Sequence, residues 1–291
     1  MTDYLTTKEL AALLRIKERK VYDLAASGSV PCSKAMGKLL FPKRAVEAWL
    51  ARESFGLDQT AGEPLPNVLL GSHDPLLEWA LRESRAGIAS YVDGSSDGLA
   101  RFGRREGLAA GLHLYDAARD AWNLPAVERR FSAMPVVLME WAKRQRGLIL
   151  SHDVAEDVTG IADLKGKRVA ARQDESGAQA LFTHLLAQAG IDQTMIEVTP
   201  PARSETDAAL LVLEGRASVA FGLKALAAQY RLPFLPIVEE RFDLLIDRRA
   251  YFEPPMQMFL AFCRSDRLSA RAQDLGGYDL AQFGRVHFNG A

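Results

Sequence analysis

From residue 67 onward the chain alternates short, nearly continuous apolar runs with stretches of helical period, and this alternation restricts the fold more than any other feature. The runs are NVLLG (67–71), MPVVLM (134–139), LILS (148–151), RVAAR (168–172), SVAFG (218–222) and FLPIV (234–238). Between them, PLLEWALRES (75–84), GAQALFTHLLAQAG (177–190) and SETDAALLVLEG (204–215) repeat apolar residues at helical spacing. Apolar runs without polar alternation fit strands buried on both faces, so the pattern predicts βαβ units: parallel sheets with helices on either side. At 291 residues there is room for more than one packing unit.

Ahead of this pattern lies SFGLDQTAGEPLPN (54–67), which holds two glycines, two prolines and no sustained period, and reads as a linker. Residues 1–55 hold ten Lys and Arg against six Asp and Glu, net +4, while the rest of the chain is net −5. A basic head on an acidic body is what a separate nucleic-acid module would give. Within the head, TTKELAALL (6–14) places Glu9 three residues after Thr6 and sets Leu10, Leu13 and Leu14 on one helical face. KERKVYDLAASG (17–28) forms a second helix with Val21, Leu24 and Ala25 inward, Lys17, Arg19 and Lys20 outward at its start, and Gly28 as its stop. CSKAMGKLLF (32–41) fits a two-stranded wing carrying Lys34 and Lys38, and PKRAVEAWL (42–50) a closing helix. Recognition helices enter the major groove N-terminal end first, so Lys17, Arg19, Lys20, Lys34 and Lys38 are the expected DNA contacts. Tyr22 has two open readings, contact with a phosphate or packing against the wing.

Over residues 4–52 this order resembles the excisionase or MerR-like winged helix-turn-helix: Thr7 to Leu14, Arg19 to Tyr22, Gly28 to Pro31, then Trp49-Leu50. The resemblance implies double-stranded DNA as a partner.

In the second part, small polar clusters follow the apolar runs: GSHDP (71–75), VDGSSDGL (92–99), RQDESGAQALF (172–182) and PARSETDAAL (201–210). A strand that ends in such a cluster before a helix leaves backbone N–H groups and hydroxyls at the positive end of the helix dipole, where anions bind. One corner is commonplace, because Ser and Thr cap helices for local reasons. Four at strand carboxyl ends mark the edge where open sheets hold ligands. The expected ligand contacts are Ser72, His73, Ser95, Ser96, His113, Arg172, Ser176 and Thr206. For His73 and His113 a purely structural hydrogen bond is the competing role; His152, His184 and the tryptophans read as structural.

These clusters, with AGLHL (110–114), Glu205-Thr206, Glu240 and Gly277-Tyr278-Asp279, are similar to the periplasmic-binding-protein-like domain found behind helix-turn-helix modules and in some molybdopterin-biosynthesis proteins. Together the two resemblances give the expected fold: α/β, with an N-terminal winged helix-turn-helix (1–54), a linker (55–66) and a two-lobed type II periplasmic-binding-protein-like domain (67–291). They imply lobe one at about 67–143 and 238–291, lobe two at about 144–237, and a small anion in the cleft: molybdate, tungstate or a molybdopterin-type compound.

Cys32 and Cys263 have no metal-type spacing and read as packing residues. No run reaches the length of a membrane span, the N-terminus lacks a secretory pattern, and no nucleophile elbow, HExxH or Walker loop occurs. The expectation is a cytoplasmic, non-enzymatic, ligand-responsive transcription regulator that requires no cofactor and works as a dimer or higher homo-oligomer, since paired half-sites add specificity. The alternatives are a recombination or excision accessory factor and a molybdopterin-handling enzyme.

Overall fold

The computed structural model describes residues 4–35, 37–53, 64–174 and 176–291. Most of the expected linker, 55–66, lies outside them. The chain divides into two compact units, Met1–Pro64 and Leu65–Ala291.

In the first unit Thr6 does what its sequence context predicts. Its hydroxyl accepts from the Glu9 N–H at 3.3 Å, and the Glu9 carboxylate accepts from the Thr6 N–H at 2.8 Å, which closes a capping box. The elements are β1 (Tyr4–Thr6), α1 (Thr7–Leu14), α2 (Glu18–Ala26), β2 (Ser33–Ala35), β3 (Lys38–Pro42) and α3 (Lys43–Glu53). The strands form an antiparallel sheet in the order β1-β3-β2, so β2 and β3 are the wing. Leu10, Ala11, Val21, Val30, Phe41 and Val46 make the core. Leu13, expected on the buried face, is 53% exposed. Cys263 is buried as expected, but Cys32 is exposed and packs no core.

The second unit begins with β4 (Val68–Gly71), α4 (Pro75–Ser84), β5 (Ala89–Val92), α5 (Ser95–Gly103) and β6 (Ala109–Leu112). A small hairpin, β7 (Tyr115–Asp116) and β8 (Ala121–Trp122), and α6 (Leu124–Phe131) lead into the long β9 (Val136–Leu150). Next come β10 (Arg168–Ala170), α7 (Gly177–Gln188), β11 (Glu197–Val198), α8 (Glu205–Leu213), β12 (Val219–Leu223) and α9 (Lys224–Gln229). A second long strand, β13 (Phe234–Asp247), precedes α10 (Arg248–Tyr251), α11 (Pro254–Cys263), α12 (Asp266–Leu275), β14 (Tyr278–Asp279) and β15 (Val286–Asn289).

These strands form one sheet in the order β11-β10-β12-β9-β13-β6-β4-β5, with β14 and β15 also on β9. It is parallel within each lobe, as the alternation predicts: β5-β4-β6 in lobe one and β11-β10-β12 in lobe two. Between them β9 and β13 run antiparallel to their neighbours, so the sheet as a whole is mixed. The runs at 134–139 and 148–151 belong to one strand, joined by a charged segment that looks like a loop in sequence. One edge of β9 pairs with β15 and β14 up to Arg144 and with β12 from Arg146 onward. That change of partner is where lobe one gives way to lobe two. Separate apolar cores support the lobes, around Leu76, Trp141 and Phe259 in one and around Leu148, Phe182 and Phe221 in the other.

Candidate functional site

The turn after β4 sets the first half of the site. Gly71 has φ +102°, a conformation L side chains rarely adopt, and an added Cβ there would run into the Gly111 backbone. This close approach lets the Ser72 N–H donate to Gly111 O at 2.9 Å and the Gly94 N–H to Gly71 O at 3.1 Å. Two predicted hydroxyls then meet: Ser72 Oγ lies 2.7 Å from Ser95 Oγ, and Ser95 Oγ accepts the His113 N–H at 3.1 Å. All three residues are buried.

Asp74 caps α4 through one oxygen, which accepts from the Leu77 N–H at 2.6 Å. Its other oxygen receives Arg144 Nη1 and the Tyr278 hydroxyl, both at 2.8 Å. Arg144 also donates to Glu240 and stacks over the Phe242 ring at 4.2 Å. Arg146 donates to Glu240 from Nε at 2.7 Å and to Glu205 from Nη2 at 2.8 Å. Arg172 Nη1 is 3.4 Å from the same Glu205. The result is one buried chain of alternating charge, Asp74–Arg144–Glu240–Arg146–Glu205–Arg172, which starts on lobe one, crosses on β9 and β13 and ends on lobe two. Three guanidinium groups balance three carboxylates.

The electrostatics follow from that balance. Burial by itself would raise the Glu240 carboxyl, but Arg144 and Arg146 hold it well below the usual range. Burial likewise opposes ionisation of Glu205, and Arg146 and Arg172 overcome it, bringing the group to about 2. Burial lowers His113 against the pull of Glu240, so its imidazole is neutral near pH 7; Nδ1 sits 3.2 Å from Glu240 Oε2 without the alignment of a hydrogen bond. Burial also lowers the Arg172 guanidinium.

The lobes touch beside this chain. A Cβ on Gly177, at the start of α7, would lie 2.7 Å from His113 O, and Gln173 Nε2 donates to Asp93 at 3.2 Å. Ser176, which precedes α7, is buried at the same contact.

The predicted ligand residues therefore sort into groups. Ser72, Ser95, His113 and Ser176 come together, and Arg172 ends the charge chain. His73 and Thr206 line a neighbouring interlobe cavity of about 430 Å³ with Glu78, Trp79, Arg82 and Arg271. His73 Nε2 pairs with Glu78 at 3.1 Å. Ser96 is exposed and lines a different cavity, of about 460 Å³, with Asn123 and Arg129. Sequence reading missed Arg144 and Arg146. Their spacing of two puts them on one face of a strand, a signal hidden because the surrounding charges read as a break between strands. Gln179, in the first turn of α7, accepts the Arg172 N–H at 2.8 Å.

In the first unit Lys17 immediately precedes α2, while Arg19 and Lys20 lie in its first turn. Lys34 and Lys38 sit on the two wing strands. All five are exposed, and no ion pair joins them to another described residue. Tyr22 is 53% exposed, projecting from the same helix.

A two-lobed α/β domain built on crossing strands, with its polar corners turned inward, defines a solute-binding class of protein. The description "PBP superfamily domain" matches residues 78–264 and "Helix-turn-helix domain" residues 4–54, so the chain belongs to the PBP superfamily and carries a helix-turn-helix domain ahead of it. Among proteins it is similar to, the uncharacterized protein YvgK of Bacillus subtilis (strain 168) is 25% identical over a 316-residue alignment covering 98% of both chains. An uncharacterized protein in the ferredoxin 2Fe-2S gene 5' region of Clostridium pasteurianum is 28% identical over 76 residues, 26% of this chain and 67% of that one. The regulatory domain of MetR, a LysR family regulator from N. meningitidis, shares the fold with a TM-score of 0.50 at 15% identity, over 73% of this chain and 97% of that domain. No described helix is long and apolar enough to cross a membrane.

Proposed function

We propose that this protein is a one-component, ligand-responsive transcription regulator of the cytoplasm that acts by binding and not by turnover. The helix-turn-helix unit holds double-stranded DNA, and the two-lobed unit binds a small anion. The observation that carries the reading is the convergence of Ser72, Ser95 and His113, with the Ser176–Gly177 start of α7 packed on His113, beside a charge chain that spans both lobes. Because the arginines there already face matching carboxylates, an incoming anion is held by hydroxyls, backbone N–H groups and the Arg172 Nη1–H, which lies 3.4 Å from Glu205 but makes no hydrogen bond among the described residues. Tetrahedral oxyanions such as molybdate and tungstate, or a molybdopterin-type phosphate, have that chemistry. Their binding favours one arrangement of the lobes and so biases how paired DNA heads meet their half-sites, which makes a dimer or higher homo-oligomer the working form.

The test is a thermal-shift series with molybdate, tungstate, sulfate and a molybdopterin compound. A solute at 100 times its Kd stabilises by about 2.7 kcal/mol. The Ser72→Ala, Ser95→Ala double variant should lose that response. Full response in the variant would remove these hydroxyls from the site. DNA binding unaffected by every solute, with bending of the DNA, would favour a recombination accessory factor instead.

A further inference from the structure

Away from the cleft, the sheet carries a second polar cluster. Glu140 on β9 and Asp243 on β13 are direct cross-strand neighbours, and both are buried. His287 on β15 reaches over them, with Nε2 2.7 Å from Glu140 Oε2. One ligand atom from each of the three lies within 4.8 Å of the other two. From these positions we propose that Glu140, Asp243 and His287 form a binding site for a divalent first-row transition metal ion, with zinc(II) as its simplest occupant.

The donor set fits such an ion. One imidazole nitrogen and two carboxylate oxygens suit zinc and its neighbours, whereas magnesium and calcium take oxygen donors. Bonds of about 2.0–2.2 Å require ligand atoms to close to roughly 3.5 Å, a shift within reach of side-chain rotation. The surroundings orient the donors. Asn123 Nδ2 donates to Asp243 Oδ2 at 2.8 Å, and its own oxygen is fixed by the Leu114 N–H at 2.6 Å. Arg241 Nε is 3.0 Å from Asp243 Oδ2 and 3.1 Å from Oδ1, leaving Oδ1 with the fewer donors. Such outer contacts hold ligating carboxylates in place. Two buried carboxylates here face one guanidinium, Arg241, and one imidazole, His287. His287 is the partly exposed member, so solvent reaches the site from its side.

This inference is independent of the DNA and solute readings. Metal-free full-length protein titrated with zinc(II) by calorimetry should take up one ion per chain, and cobalt(II) should give the visible absorption of a bound low-symmetry site. Magnesium(II) should not compete. His287→Gln and Asp243→Asn, each checked for an unchanged unfolding midpoint in the absence of metal, should weaken zinc binding tenfold or more, while His152→Ala should not. His287 is the partly exposed member of the three, so His287→Gln tests the site with the least change to the buried interior. No uptake by the wild-type protein, or unchanged affinity in His287→Gln, overturns the proposal.

Discussion

Arg146 and Arg19 carry the same guanidinium in opposite settings. Arg146 is completely buried, and each face of its fork meets a carboxylate, Glu240 on one side and Glu205 on the other. Arg19 is exposed at the start of α2 with no ion-pair partner among the described residues. A buried cation must be neutralised where it stands, because the desolvation cost is otherwise prohibitive, and its energy is then committed to holding the lobes' junction together. An exposed cation costs little and contributes little to the fold, so its charge remains available to a polyanion. The difference teaches that in this molecule charge inside the second unit is spent on organising the protein, and charge on the helix-turn-helix is kept at the surface.

The sharpest way to break this comparison is Arg146→Ala, which leaves Glu240 and Glu205 without their shared cation. We expect a loss of about 3–5 kcal/mol in the second unit, measured by denaturant unfolding. A loss below 1 kcal/mol would mean that water reaches the chain. Acid sharpens the same point. The Glu205 carboxyl is depressed to about 2 in the folded protein against an ordinary value of 4.5. The unfolded state therefore binds the proton more readily, so the stabilisation is complete above about 4.5 and is lost as pH falls toward about 2. Roughly 3 kcal/mol disappears over that window, and Glu205→Gln should flatten that part of a stability-against-pH curve.

On the exposed side, Arg19→Ala with Lys20→Ala should leave the unfolding midpoint nearly unchanged and weaken DNA binding roughly tenfold or more, with the salt slope reduced by about 2 if both contact phosphate. Fluorescence anisotropy at several salt concentrations measures both quantities. Equal affinity for the variant would end the parallel between exposure and partner contact. The smallest effect belongs to a surface pair in the second unit. Arg168 and Glu197 lie 3.3 Å apart across β10 and β11, both more than half exposed. Arg168→Ala should cost no more than about 0.5 kcal/mol.

How much of this was legible in sequence depended on how local each signal was. Thr6 and Glu9 announce a capping box within four residues, and PLLEWALRES fills α4 from first residue to last. The glycine-serine corners were legible for the same reason, since each needs only a strand end and a helix start. What joins the corners was not. Arg144 meets Asp74 across 70 positions and Glu240 across 96. No periodicity links residues so far apart, and the charged stretch around them imitates a loop. Ser96 fails for a subtler reason: it adjoins Ser95 in sequence, but the first turn of α5 points successive side chains in different directions, so only Ser95 reaches Ser72. Leu13 similarly falls just outside the buried stripe of α1.

One property of the long central strands reaches further. The register of β13 against β9 slips between Pro236 and Val238 and again between Phe242 and Asp243, on either side of Glu240. A ribbon notched twice bends and twists at its notches, because there the rungs between its rails are interrupted. The ribbon therefore changes direction at two points, and the segment between them carries the carboxylate that both arginines grip.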